Sequence, residues 1–298
     1  MSLIPDHKIF ITGATSHSGC HLVKLMQDRN VPVRLLTRNP RRLARLPVGR
    51  HEIVEADLTR PETYCEMLAE CGAVIHLAHI RNAQHIVEAC RLAEVKRLIV
   101  ISSTRKFTKF PDAISQAVEQ GEYFVTNSGL DWTLLRPSMI YGDHRDQNLA
   151  GLVQRIKRWP VFPLTGGGSR MQPVFVDDLC AAIFQTWLRP ETIGRDYNLA
   201  GPQPLTLKDL LGAIKKQAGT SCGLIPVPMG PALFFAKILD TLRGRRELGL
   251  APKIRRLNED KTFDISLAQT ELGFEPRSID DGLARKIEWL GRKDHPYD

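Results

Sequence analysis

Gly13-x-x-Ser16-x-x-Gly19 stands between an apolar run, Ile9-Phe10-Ile11-Thr12, and an amphipathic segment that begins near Gly19. Chemistry follows from that placement. Gly13 permits a tight strand-to-helix turn, and Gly19 lets the helix approach the sheet closely. The free N–H groups of the first helical turn then present positive partial charge to a diphosphate. Ser16 fills a slot that most such loops give to glycine. Its Cβ would cost about 1 kcal/mol if the slot needed positive φ, and its hydroxyl could offset this by binding phosphate or capping the helix. Thr15, Ser16, His17 and Ser18, between the two glycines, are the loop residues expected to touch a bound dinucleotide.

The elements needed to hold such a loop recur along the chain. Strand-like runs at Lys8–Thr12, Val33–Leu36, Glu52–Glu55, Ala73–Leu77, Arg97–Ser102, Trp132–Leu135 and Tyr197–Ala200 alternate early on with helical patterns near Gly19–Arg29, Glu62–Glu70 and Ala83–Ala93. Most strands are apolar along their length, as in a parallel sheet covered on both faces. This alternation predicts an α/β fold, a doubly wound parallel Rossmann sheet. Ligands of such sheets sit beyond the carboxyl ends of the strands, which places Gly13, Leu77-Ala78-His79, Ser102-Ser103 and Pro137 around one crevice. After the breaker Gly201-Pro202-Gln203-Pro204 the texture changes. Residues 1–200 are therefore read as the dinucleotide-binding domain, and 201–298 as a smaller C-terminal α/β lobe.

Composition is that of an ordinary globular protein: 298 residues, 43% hydrophobic and 25% charged. Met1–Lys8 lacks a basic-plus-apolar leader, no apolar run reaches the roughly 20 residues of a membrane span, and six scattered cysteines suit a reducing compartment. A cytoplasmic protein is expected. Of the formal net charge of +8, five units fall between Pro226 and Arg256, where seven cations face two anions. An anionic substrate or surface would suit that cluster, although a solvated face is the plainer reading. The apolar and basic stretch 231–246 would suit peripheral membrane contact, but a lobe helix with its apolar side on the core is preferred. No aromatic platform interleaves the cations, so nucleic acid is not expected. His17 and His21 share a helix face with no third ligand near in sequence, so no metal site is expected.

Six motifs follow one another in order: Thr12-Gly13-Ala14-Thr15 with Gly19; Val74-Ile75-His76-Leu77-Ala78; Ile101-Ser102-Ser103; Leu135 to Gly142; Pro173-Val174-Phe175-Val176-Asp177-Asp178; and Tyr197-Asn198-Leu199-Ala200-Gly201. Together they resemble the extended short-chain dehydrogenases/reductases, the superfamily of NAD-dependent epimerases and dehydratases. Among these the chain looks most similar to atypical members such as NmrA-like proteins and relatives of the NADPH-binding subunit of respiratory complex I. The resemblance implies a pyridine nucleotide in the crevice, with Asp57-Leu58 at the position that holds the adenine. Charge then selects the nucleotide. The second strand ends Leu36-Thr37-Arg38 with no carboxylate to bind a ribose 2′-hydroxyl, whereas Arg38, with Arg41 or Arg42, suits a 2′-phosphate. NADP(H) is expected over NAD(H).

The resemblance also implies a Tyr and, four residues on, a Lys as the acid–base pair, within Phe110–Val118. Neither is there. Ser103 and Tyr141 are the remaining catalytic candidates, Tyr141 against the plainer reading that an aromatic beside a glycine simply packs. Glu122 would serve as a base only with a raised pKa, and is otherwise read as a surface carboxylate. Lys106 and Lys109 are candidate clamps for an anionic small-molecule substrate. Met171 stands where nucleotide-sugar enzymes of the superfamily place an Arg, and Arg170 is one residue off. Two functions fit: an oxidoreductase or epimerase for a sugar-like or other carbonyl substrate with non-standard proton transfer, or a non-catalytic NADP(H)-binding redox sensor or assembly protein.

Overall fold

The computed structural model describes residues 7–43, 46, 51–143, 145–146, 149–165, 168–242 and 249–291. The first half runs β1 (Lys8–Thr12), α1 (His17–Asp28), β2 (Val33–Thr37), β3 (His51–Glu55), α2 (Cys65–Leu68), β4 (Cys71–His76), α3 (Ala83–Leu92), β5 (Arg97–Ile101), α4 (Ala113–Thr126) and β6 (Asp131–Pro137). Then come β7 (Ile140–Tyr141), α5 (Ala150–Arg158), β8 (Val161–Leu164), β9 (Arg170–Met171), β10 (Val174–Phe175), α6 (Val176–Leu188) and β11 (Arg195–Leu199). The last part holds β12 (Leu205–Thr206), α7 (Leu207–Ala218), β13 (Gly223–Pro226), α8 (Met229–Leu242), α9 (Leu250–Leu257), α10 (Ser266–Leu272) and α11 (Ile279–Gly291).

Seven strands form the central sheet in the order β11-β6-β5-β4-β1-β2-β3, every neighbouring pair parallel. This is the expected doubly wound α/β sheet. Strand order reverses at β1, whose Ile11 lies beside both Leu35 and Ile75, so a crevice opens past the end of β1. Apolar side chains cover both faces. Ile9, Ile11, Ile75 and Ile99 pack with α1 and α6 on one side; Phe10, Val74, Leu98 and Val100 pack with α3 and α4 on the other. Local signals start the helices. Ser16 caps α1, Asp112 and Ser115 close a capping box on α4, and Thr206 and Asp209 do so on α7.

Two expectations about the lobe are corrected. Its boundary does not fall at residue 200: β8 pairs with β13, β9 pairs with β12 and α5 packs on α7, so residues from both sides of 200 build it. Its core is also continuous with that of the sheet, joining Leu210, Leu211 and Leu283 to Ile9 and Val23. The second correction concerns α8. Its inward side chains are Ala236 and Asp240, the latter accepting the amides of Leu250 and Ala251 at the start of α9 at 2.7 and 2.8 Å. The apolar face points outward instead, with Phe234, Phe235 and Leu242 exposed by 62%, 64% and 78%. A carboxylate that caps a neighbouring helix fixes the rotation of α8, and the phenylalanines follow. Arg243, Arg245 and Arg246 lie outside the described residues. Among those described, no helix is long and apolar enough to cross a membrane.

Candidate dinucleotide site

The turn from β1 into α1 is built around two absent side chains. Gly13 has φ +74°, and a Cβ there would meet the Ala78 amide nitrogen at 2.5 Å. A Cβ on Gly19 would stand 2.2 Å from the Gly13 carbonyl oxygen. Both glycines are thus required by backbone contact, and together they leave a cradle that a diphosphate fits. Ser16 needs no positive φ. It is extended, with φ −74° and ψ 168°, and its Oγ accepts the Gly19 amide at 3.0 Å. The strain considered for this slot is absent because capping takes its place.

An open cleft of about 540 Å³ runs from this turn along the ends of β1, β2, β3 and β4. Of the residues expected from the sequence, Gly13, Thr15, Arg38, Asp57, Leu58 and Ala78 line it. Arg42, Arg81, Asn39 and Asn82 line it as well. Arg81 and Asn82 were missed, although the turn after Leu77-Ala78-His79 is where a fourth strand's loop must reach the crevice. Among the described residues, three guanidinium groups therefore border the cleft, and Asp57 is the carboxylate that lines it. Hydrogen bonds from the Thr59 amide and hydroxyl, both 2.9 Å, hold the Asp57 carboxyl below its usual range.

The other expected cofactor residues stand back from the cleft lining. Ser16 is the half-buried N-cap of α1, Ser18 and Gly19 lie buried in its first turn, and Leu77 is buried just past the end of β4. His79 turns back to accept the Arg81 amide at 3.2 Å, and burial lowers its pKa. The Pro137 carbonyl accepts the Thr104 hydroxyl at 3.2 Å. His17 points to Asp143, its Nε2 3.1 Å from that carboxylate.

Glu122, on α4, lies at the centre of a buried ionic knot. Glu122 is only 2% exposed. Its Oε1 accepts Ser102 Oγ at 2.5 Å and Arg136 Nε at 2.7 Å, and its Oε2 accepts Arg136 Nη2 at 2.8 Å and Lys106 Nζ at 2.6 Å. Burial alone would raise this carboxyl, but the donors on Arg136, Lys106 and Ser102 outweigh it and hold the pKa below normal. Glu122 is therefore neither a surface carboxylate nor a base of raised pKa. The knot also occupies Ser102 and Lys106. Ser103 Oγ caps the following turn by accepting the Arg105 amide at 3.1 Å. Tyr141 does not face the cleft. It is 1% exposed, its ring stands edge-on to Phe175, and its hydroxyl lies 1.9 Å from where a Gly282 Cβ would be. Burial raises its pKa. Its place is in the packing between β7 and α11. Met171 is buried and Arg170 exposed on the two-residue strand β9, the alternation expected of adjacent strand positions.

Beside the loop, tertiary structure gives His17 and His21 the third group that the sequence did not show. Asp143 Oδ1 is 3.1 Å from His17 Nε2, and its Oδ2 is 3.1 Å from His21 Nε2. His21 Nδ1 is 2.7 Å from Asp177 Oδ1. The reason for expecting no metal, the lack of a third ligand, does not hold in three dimensions.

A sheet of this order, with a glycine cradle at its switch point, defines a dinucleotide-binding Rossmann protein. The comparisons agree with the resemblance to the short-chain dehydrogenases/reductases, on their atypical, NAD-dependent epimerase-like side. Residues 13–157 match a family model described as NAD(P)H-binding. The chain is 21% identical to an NAD(P)H azoreductase of Xenophilus azovorans, over 75% of this chain and 78% of that one. It is likewise 21% identical to the photosystem II assembly factor Ycf39 of Guillardia theta, over 95% and 94%. The fold is that of a UDP-glucuronic acid 4-epimerase from Bacillus cereus solved with UDP-glucuronic acid and NAD, with a TM-score of 0.74, 18% identity and 95% and 98% coverage.

Proposed function

We propose that this protein binds NADP(H) in preference to NAD(H), and that it is an oxidoreductase or epimerase for a sugar-like or other carbonyl substrate. The observation that carries the cofactor preference is the cleft wall, where Arg38, Arg42 and Arg81 stand and no acid ends β2. A 2′-phosphate placed there gains charge-assisted hydrogen bonds, whereas a bare ribose leaves guanidinium groups unused. Hydride transfer itself needs only a nicotinamide held against the reacting carbon, so the missing Tyr and Lys do not by themselves exclude it. The similarity to an azoreductase supports the redox reading.

A second reading, cofactor binding without turnover, is favoured by one observation. Glu122 is locked as an anion and Tyr141 is packed, so neither is available as a proton donor at the crevice. The similarity to an assembly factor agrees with it. Fluorescence titration tests the shared part. NADPH is expected to bind at least about tenfold tighter than NADH, since one charge-assisted contact is worth about 1.5–3 kcal/mol, and Arg38→Ala should erase most of that margin. Equal affinities refute it. NADPH oxidation across aldehydes, ketones and nucleotide sugars then separates the readings, with binding but no turnover favouring the second.

A further inference from the structure

Among the described residues, the most concentrated set of unassigned ligand groups lies against the first turns of α1. His17 and His21 are one helical turn apart, so both rings leave the same face. Asp143, on the loop after β7, comes to that face from 122 residues further along than His21. One ligand atom from each of the three lies within 4.8 Å of the others, and the two rings meet at 86° with their centres 5.4 Å apart.

Three features distinguish this cluster from an ordinary surface ion pair. First, it is enclosed: side-chain exposure is 15% for His17, 9% for His21 and 1% for Asp143. Second, the His17 Nε2 contact is short enough for an ion pair, yet that buried nitrogen makes no aligned hydrogen bond. Third, the outer groups orient the inner ones as around a bound ion. Asp177 holds the Nδ1 edge of His21 at 2.7 Å, which leaves Nε2 as the ligand atom. Arg145 engages Asp143 Oδ2 through Nε at 3.2 Å and Nη2 at 3.1 Å and donates its backbone amide to Oδ1 at 2.8 Å, which fixes the carboxylate between the two imidazoles. Ligand atoms about 2.1 Å from a tetrahedral ion stand about 3.4 Å apart. The two His–Asp separations here are 3.1 Å.

We propose that His17, His21 and Asp143 form a binding site for one borderline divalent cation of the Zn²⁺ class, positioned by Asp177 and Arg145. Two imidazoles and one carboxylate match the ligand preferences of such an ion, and three protein ligands leave a coordination position for solvent. The ion would join α1 to the loop after β7, adding a cross-link between parts of the chain distant in sequence. This assignment is independent of which pyridine nucleotide the cleft takes.

The test uses untagged full-length protein, stripped with chelator and titrated with Zn²⁺ by equilibrium dialysis and with Co²⁺ by visible absorption. Wild type should bind one equivalent of either ion, with Co²⁺ showing the intense bands of a low-symmetry nitrogen–oxygen site. Zn²⁺ should raise the melting temperature, because the ion binds the folded chain. His17→Gln, at a partly exposed helix start, should lose the bound equivalent while keeping the wild-type circular dichroism. Asp177→Asn should weaken binding about 10–100-fold, as loss of an orienting carboxylate does. His85→Gln, on α3, serves as control and should bind like wild type. The proposal is overturned if wild type binds no stoichiometric ion, if His17→Gln binds as well as wild type, or if His85→Gln loses as much as His17→Gln.

Discussion

Arg136 grips Glu122 through two buried hydrogen bonds of 2.7 and 2.8 Å, joining β6 to α4. Removing the carboxylate would leave a guanidinium that is only 7% exposed with Asp196 as its remaining acidic partner. Glu122→Ala should therefore destabilise the protein by about 3–5 kcal/mol, read from urea denaturation. Lys106→Ala should lose less than about 1 kcal/mol, because that lysine is one-third exposed and pairs at the rim of the same knot. Equal losses would mean that the knot is not the buried unit described.

His76 supplies a pH dependence. It is fully buried with Nδ1 2.8 Å from Thr12 Oγ1, and burial pushes its pKa from 6.5 down to about 4. Across that window the unfolded chain holds a proton that the folded chain refuses. Stability is therefore complete above pH 6.5 and falls as pH drops toward 4, by about 3 kcal/mol at most from this group. Urea midpoints measured between pH 4 and 7 should slope less steeply in His76→Gln. Parallel slopes would show that the imidazole is not held neutral.

Glycines separate into those that contact demands and those that it does not. Gly19→Ala drives a methyl into the Gly13 carbonyl and should cost about 1–3 kcal/mol together with most of the dinucleotide affinity. Gly212, in the middle of α7 with open space around it, should respond oppositely, Gly212→Ala stabilising by about 0.5–1 kcal/mol. Thermal melts with and without NADPH measure both.

The outward face of α8 predicts tolerance. Phe234→Ser and Phe235→Ser should each change folding stability by less than about 0.5 kcal/mol, because both rings are already more than half exposed. Leu211→Ala, on the inner face of α7 with no exposure, should cost about 2–5 kcal/mol. A large loss in either phenylalanine variant would place α8 the other way round.

Much of the architecture was legible in the residues. Alternating apolar runs and amphipathic segments specify strands and helices through local periodicity, and a parallel sheet follows once they alternate. Gly13, Gly19 and Arg38 could be assigned to a cleft because their roles depend on backbone freedom and on position at a strand end, both of which are local. Arg81 and Asn82 were equally local and were overlooked.

What the tertiary structure decided concerns partners distant in the chain. Glu122 reads as an ordinary helix carboxylate until Arg136, 14 residues on, and Ser102, 20 residues back, close around it. Tyr141 is a candidate donor by position, and only the packing of Phe175 and Gly282 shows that its ring is enclosed. His17 and His21 lack a third group until Asp143 arrives from beyond β6. The rotation of α8 was set by Asp240 capping α9 and not by its own apolar pattern. Periodicity fixes which face of an element is apolar; which buried charge finds which partner depends on side-chain contacts that close only when the whole chain packs.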